Sequence, residues 1–164
     1  MELRRRLNLR TIFISLYFVC FAIYLFIGLQ PAEAVNYSIS AKLEIPSIAL
    51  NTDVTSLVLN GNKLDTPDTI AGSFSQSRNK TLLIGHSTTV FQHLKEVDLG
   101  DTIKYNEKNY TITKLEFKQK SLIDMSKVLE NEDKETIVIM TCAGVLLDNG
   151  DATHRFMVTA VVAD

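Results

Sequence analysis

Beyond residue 40 the chain is built from short stretches in which apolar and polar positions alternate, and a single long apolar run precedes them. Alternation is the period of a strand with one face in a core. Residues 41–46 alternate and stop at Pro46, and residues 47–54 alternate again. Leu57, Val58 and Leu59 run into Asn60-Gly61, a strong turn signal. Residues 65–77, rich in Pro, Gly and hydroxyl side chains, read as a loop. Residues 81–84 form an apolar strand left through Gly85-His86. Thr88 or Thr89 then caps a short helix with Phe91, Leu94 and Val97 on one face. After a turn at Leu99-Gly100-Asp101, residues 102–105 and 110–117 pair as a hairpin across 106–109. Residues 121–130 make one or two helical turns with Leu122, Met125 and Leu129 inward. Ile137, Val138, Ile139 and Met140 are apolar without alternation, the pattern of a strand covered on both faces. Residues 143–154, with Gly144 and Asn149-Gly150, read as a loop, and 155–162 as the last strand. Seven or eight short strands with two short helices predict an antiparallel or mixed barrel or sandwich.

The long run, 11–29, carries no charge and follows Arg4, Arg5, Arg6 and Arg10. At about 1.5 Å per residue it spans roughly 28 Å, close to a bilayer core. Basic residues stay in the cytoplasm, which puts the rest of the chain outside. A signal peptide cut after Ala32-Glu33-Ala34 competes with an uncleaved anchor; the length of the run favours the anchor. A lipoprotein reading of Cys20 fails because Val19 precedes it, not a small residue. The division is therefore a basic cytoplasmic tail (1–10), a transmembrane anchor (11–29), a linker (30–40) and one domain (41–164).

Charge and cysteine count narrow the function. A net charge of −2 gives no footprint for nucleic acid. The two cysteines, Cys20 and Cys142, form no disulfide framework and no metal-binding pair pattern. The carboxylates Glu107, Asp148 and Asp151 read as solvated loop charge, and no cofactor or metal is expected. Cys142 thus stands as a free thiol in an exported domain. The bland account is a small buried hydrophobe. The chemical account needs partners, and two side chains at strand ends offer them: His86 and Arg155. A thiol attacking a carbonyl requires an acid or base and a donor for the oxyanion. Imidazole serves the first role and a guanidinium the second. His93 and His154 are rival imidazoles. Thr141 and Ala143 flank the thiol, and the Ala143 N–H could face an oxyanion.

These residues, in this order, resemble the sortases, cysteine transpeptidases of Gram-positive-type cell surfaces. The resemblance covers nearly the whole chain. It is carried by the N-terminal apolar segment; by Leu43, Ile45, Pro46 and Ile48; by Gly85-His86; by Phe91 with Leu94, Gly100-Asp101 with Ile103, and Tyr110; by Thr141-Cys142; and by Arg155 opening the last strand. Ala143 after the cysteine, a long 143–154 loop and His154 beside Arg155 depart from the family pattern and blur the subclass. The resemblance implies a closed β-barrel of about eight strands. It implies Cys142 as nucleophile, His86 as general acid/base, Arg155 as oxyanion donor, and Thr141 and Ala143 as substrate-lining positions. The reaction it implies cleaves a C-terminal sorting signal of the Leu-Pro-x-Thr-Gly type on surface proteins. The acyl group then passes to an amine, a cell-wall precursor or a pilin lysine. An extracytoplasmic cysteine peptidase and a noncatalytic binding barrel are the alternatives.

Overall fold

The computed structural model describes residues 9–28, 37–61, 63–148 and 151–163. It divides into two compact units, residues 1–36 and 37–164. In the first, helix α1 runs Leu9–Gly28. Its side chains are described from residue 13 to 24, all exposed and mostly apolar, among them Phe13, Leu16, Tyr17 and Phe21. That stretch rises about 18 Å at 1.5 Å per residue, against roughly 30 Å of hydrocarbon. Among the described residues no helix is long and apolar enough to cross a membrane. The expected span, 11–29, extends past this stretch at both ends. The arginines at 4–6 and the Ala32-Glu33-Ala34 motif lie outside the described residues.

The second unit is a closed barrel. Its strands are β1 (Ile39–Ile45), β2 (Leu50–Ser56), β5 (Ala71–Phe74), β6 (Lys80–Ile84), β7 (Thr102–Tyr105), β8 (Lys108–Gln119), β9 (Thr136–Leu146) and β10 (Ala152–Val162). A two-stranded ribbon, β3 (Leu59–Asn60) with β4 (Lys63–Leu64), stands apart from it at the Asn60-Gly61 turn. Around the barrel the order is β1-β2-β5-β6-β9-β10-β8-β7, closed by pairing of β7 with β1. The β2–β5 and β6–β9 pairs are parallel and the others antiparallel.

Alternation sorts the side chains. Leu43, Ile45, Val54, Leu83, Ile103, Ile112, Ile137, Ile139, Phe156 and Val158 face one central core. Their neighbours Leu82, Val138, Met140 and Met157 point to the outer wall. There Ile84, Ile123, Val128 and Leu129 pack on them. The connection carrying the last three includes a 3₁₀ turn at Lys120–Leu122 and the short helix α2 (Met125–Val128). Asp124 caps α2 by accepting from the Ser126 N–H at 3.0 Å. This outer layer is why β9 is apolar on both faces.

Several boundaries differ from the sequence reading. Residues 65–77 are not all loop: β5 crosses them as a barrel strand, its buried Ala71, Gly72 and Ser73 too small to leave an apolar pattern. The Leu57 side chain explains Gly72, where a Cβ would meet it at 2.4 Å. Residues 88–97 form turns and a 3₁₀ helix (Leu94–Glu96) instead of an α-helix, although Phe91, Leu94 and Val97 are buried. Leu122 and Met125 are exposed, not inward. The 143–154 segment is no open loop either. β9 continues to Leu146 and β10 begins at Ala152, so only 147–151 connect them; Asn149 and Gly150 lie outside the described residues.

Candidate active site

Three pairings decide where the thiol sits. In β9, Cys142 follows Val138 and Met140 on the outer wall, because side chains alternate. In β10, Arg155 is the register partner of Cys142, and Met157 that of Met140. Directly opposed residues of an antiparallel pair point to the same side with Cβ atoms roughly 5 Å apart. In β6, Ile84 is the parallel partner of Met140, and the strand ends there, so Gly85 and His86 leave it alongside Thr141 and Cys142. A cavity of about 130 Å³ results, lined by Cys142, His86, Arg155, Thr141, Met140 and Thr66 together with Ile84 and Gly85.

The exit from β6 is fixed from two sides. The buried Thr141 hydroxyl donates to the Gly85 carbonyl at 2.8 Å. At Gly85 a Cβ would come within 2.7 Å of the Phe91 ring, so only glycine fits beside that core aromatic. The His86 carbonyl then accepts from the Phe91 N–H at 3.0 Å and the Thr89 N–H at 3.4 Å, closing a tight turn. The His86 ring is left partly exposed over the cavity, its Nε2 3.6 Å from the Asp68 carboxylate. Asp68 itself is held by its carbonyl, which accepts from the Thr89 hydroxyl at 2.6 Å.

Arg155 is largely buried, its side chain 14% exposed. Nη1 donates to the Ala152 and His154 carbonyls at 3.0 and 2.9 Å, and Nη2 to Asp151 at 2.7 Å. These bonds take three of the five guanidinium donors and leave two for an incoming oxygen. Asp151 is also bound by Lys120. Hydrogen bonds from Lys120, then Arg155, then the Ala152 N–H hold its carboxyl well below the ordinary aspartate range. The sequence reading treated Asp151 as solvated loop charge; it is instead the anchor of the guanidinium. Its place four residues before Arg155 was the available signal, hidden because 143–154 read as a loop.

The remaining candidates separate. Thr141 lines the cavity, but its side chain is spent on Gly85. Ala143 points into the central core and is not among the cavity-lining residues. His93 pairs with Glu96 at 2.7 Å and lines a different cavity. His154 stacks on Phe117 at 4.8 Å and bonds the Thr153 hydroxyl at 2.8 Å. Among the described residues no three His, Cys, Asp or Glu side chains gather to hold a metal ion. Thr66 and Asp68, from the segment read as loop, were missed because only the closed barrel brings Thr66 to the cavity of the thiol and Asp68 to the imidazole.

The family model for the sortase domain matches residues 43–163, most of the chain. The chain belongs to the sortase family. Members of this family are cysteine transpeptidases. Solved sortase structures share the fold: sortase A from Corynebacterium diphtheriae at 18% identity and TM-score 0.60, over 79% of this chain and 62% of that one. A Clostridium perfringens sortase D5 transpeptidase matches at 23% and 0.60, over 80% and 84%. A Listeria monocytogenes sortase A matches at 20% and 0.59, over 77% and 88%. No curated protein matches this sortase in sequence.

Proposed function

We propose that this sortase is a membrane-anchored transpeptidase that cleaves a sorting signal of the Leu-Pro-x-Thr-Gly type and transfers the acyl group to an amine. The observation that carries the reading is the shared cavity of Cys142, His86 and Arg155 on the outer wall, with thiol and guanidinium in direct register. The Cys142 thiolate adds to the Thr carbonyl of the signal. The two remaining Arg155 donors stabilise the oxyanion, acting from a side chain already fixed by Asp151 and two carbonyls. His86 protonates the departing amine and later takes a proton from the incoming one. Met140 and Ile84 make the floor apolar, which disfavours water as a competing nucleophile. Residues 11–29 anchor the enzyme, and the basic tail keeps its N-terminus inside, so the catalytic domain faces outward beside substrates tethered to the same membrane.

The test mixes the full chain with a sorting peptide, with and without an amine. Mass spectrometry should find a thioester on Cys142 and a ligated product. Arg155→Ala should slow acylation by about a hundredfold or more while the fold persists. Hydrolysis alone at high amine concentration would replace the reading with a peptidase. Identical product profiles from Cys142→Ala and the parent would leave a binding barrel.

A further inference from the structure

Beside His86 lies a second cavity, of about 360 Å³, that the thiol chemistry does not use. Strand β2 forms part of it. β2 pairs with β1 from Leu50 to Thr55, but with β5 only at Val54, Thr55 and Ser56. On the side away from β1, Leu50, Asn51, Thr52 and Asp53 therefore face no strand among the described residues. Alternate residues of such a stretch turn their N–H and C=O outward, so the closed barrel keeps a short open edge. Leu50, Asn51 and Thr52 line the cavity with Thr69, Thr89 and Gln92. The lining is aliphatic, hydroxyl and amide; its one imidazole, His93, is occupied by Glu96. The cavity adjoins the thiol site through the same two turns. Thr69 follows Asp68, whose carboxylate stands 3.6 Å from His86 and is 93% exposed. Thr89 bonds both the Asp68 and the His86 carbonyls.

We infer that this cavity is the acceptor site: the amine-bearing substrate adds to the open edge of β2 as an extended peptide, and Asp68 receives its ammonium beside His86. The inference rests on the transpeptidase reading. Apart from the Asp53 carbonyl, which accepts from the Thr52 hydroxyl at 3.2 Å, this edge offers backbone N–H and C=O groups with no strand partner, complementary to another peptide backbone. The neutral lining makes no charge demand on the peptide's side chains. The acceptor amine is a cation before it reacts, and the exposed Asp68 carboxylate, one residue before the cavity-lining Thr69, stands beside the imidazole. Extended residues rise about 3.3 Å each, so a three-residue segment covers about 10 Å. In the transfer the ammonium loses one proton to neutral His86 and one to water. The C–N bond forms, the C–S bond breaks, and Cys142 leaves as thiolate.

The experiment uses the full chain in detergent, loaded as the thioester with a Leu-Pro-Ala-Thr-Gly peptide. Release is timed with tetraalanine amide, with the same peptide N-methylated at its second and third residues, and with hydroxylamine. N-methylation should lower acceptor kcat/KM at least tenfold. Gln92→Trp, at an exposed position, should lower the ratio of tetrapeptide to hydroxylamine release at least fivefold. Asp68→Asn should raise the KM for the cationic tetrapeptide several-fold, and an unchanged KM overturns the ammonium contact. Equal use of the methylated and unmethylated peptides, or an unchanged ratio in Gln92→Trp, overturns the inference. Absence of any thioester defeats the transpeptidase reading instead. Edge docking is then read from anisotropy of fluorescent tetraalanine amide on the Cys142→Ala chain: binding lost with Gln92→Trp supports it, and equal signals overturn it.

Discussion

Replacing Asp151 by Asn removes a charge and almost no volume, and it separates the position of Arg155 from its presence. In the parent chain, one carboxylate joins Arg155 to Lys120. A hydrogen bond to a charged group contributes roughly 1.5–3 kcal/mol. The Lys120 limb is discounted, since its side chain is 53% exposed and open to screening. The Arg155 limb, 14% exposed, keeps most of its strength. A net loss of about 1–2 kcal/mol of anchoring follows. If that freedom must be removed again when the oxyanion forms, acylation slows about 5- to 30-fold. The assay is thioester formation under single-turnover conditions, with thermal unfolding in parallel and Asp151→Glu as a conservative rescue. A role in folding alone would lower the melting temperature and leave the acylation rate of the folded fraction at the parent value, and that outcome refutes the reasoning. The pH dependence checks the electrostatics. Asp151 is held below its unfolded value of about 3.9. Its contribution is full above that pH and is lost as pH falls through the depressed folded value. The stability gap between parent and Asp151→Asn should therefore persist at neutral pH and close in strong acid.

Two further substitutions test how the histidine turn is held. Thr141→Val keeps the shape but leaves the Gly85 carbonyl without its 2.8 Å donor, and should cost about 1–3 kcal/mol by chemical denaturation; a neutral result would mean that another donor satisfies that carbonyl. Gly85→Ala forces a Cβ to within 2.7 Å of the Phe91 ring and should destabilise by about 1–3 kcal/mol, with acylation reduced in the folded fraction because His86 follows directly; parent-like stability and rate would show that Phe91 yields without moving the turn.

The strands that alternate clearly were readable in advance: β1, β7 and β8 follow from residues at every second position reaching the core, and β9 and β10 from their continuous apolar runs. The ends of β9 and β10 were not, because beyond Cys142 their exposed Val145 and Leu146 have no core to alternate against. β5 was invisible for the opposite reason: Ala71, Gly72 and Ser73 are buried but carry little apolar surface. Residue type and order alone pointed to the thiol, imidazole and guanidinium, since each chemistry has few side chains able to supply it and each lies at the edge of a patterned strand. Their meeting in one cavity depends on register. Shifting β10 by one residue against β9 would turn Arg155 into the barrel and Phe156 toward Cys142. The partners that hold them, Asp151 for Arg155 and Asp68 beside His86, and the short open edge of β2, exist only after strands distant in the chain have paired. Local patterning fixes which face a side chain takes; which other side chain waits on that face is set by closure of the barrel.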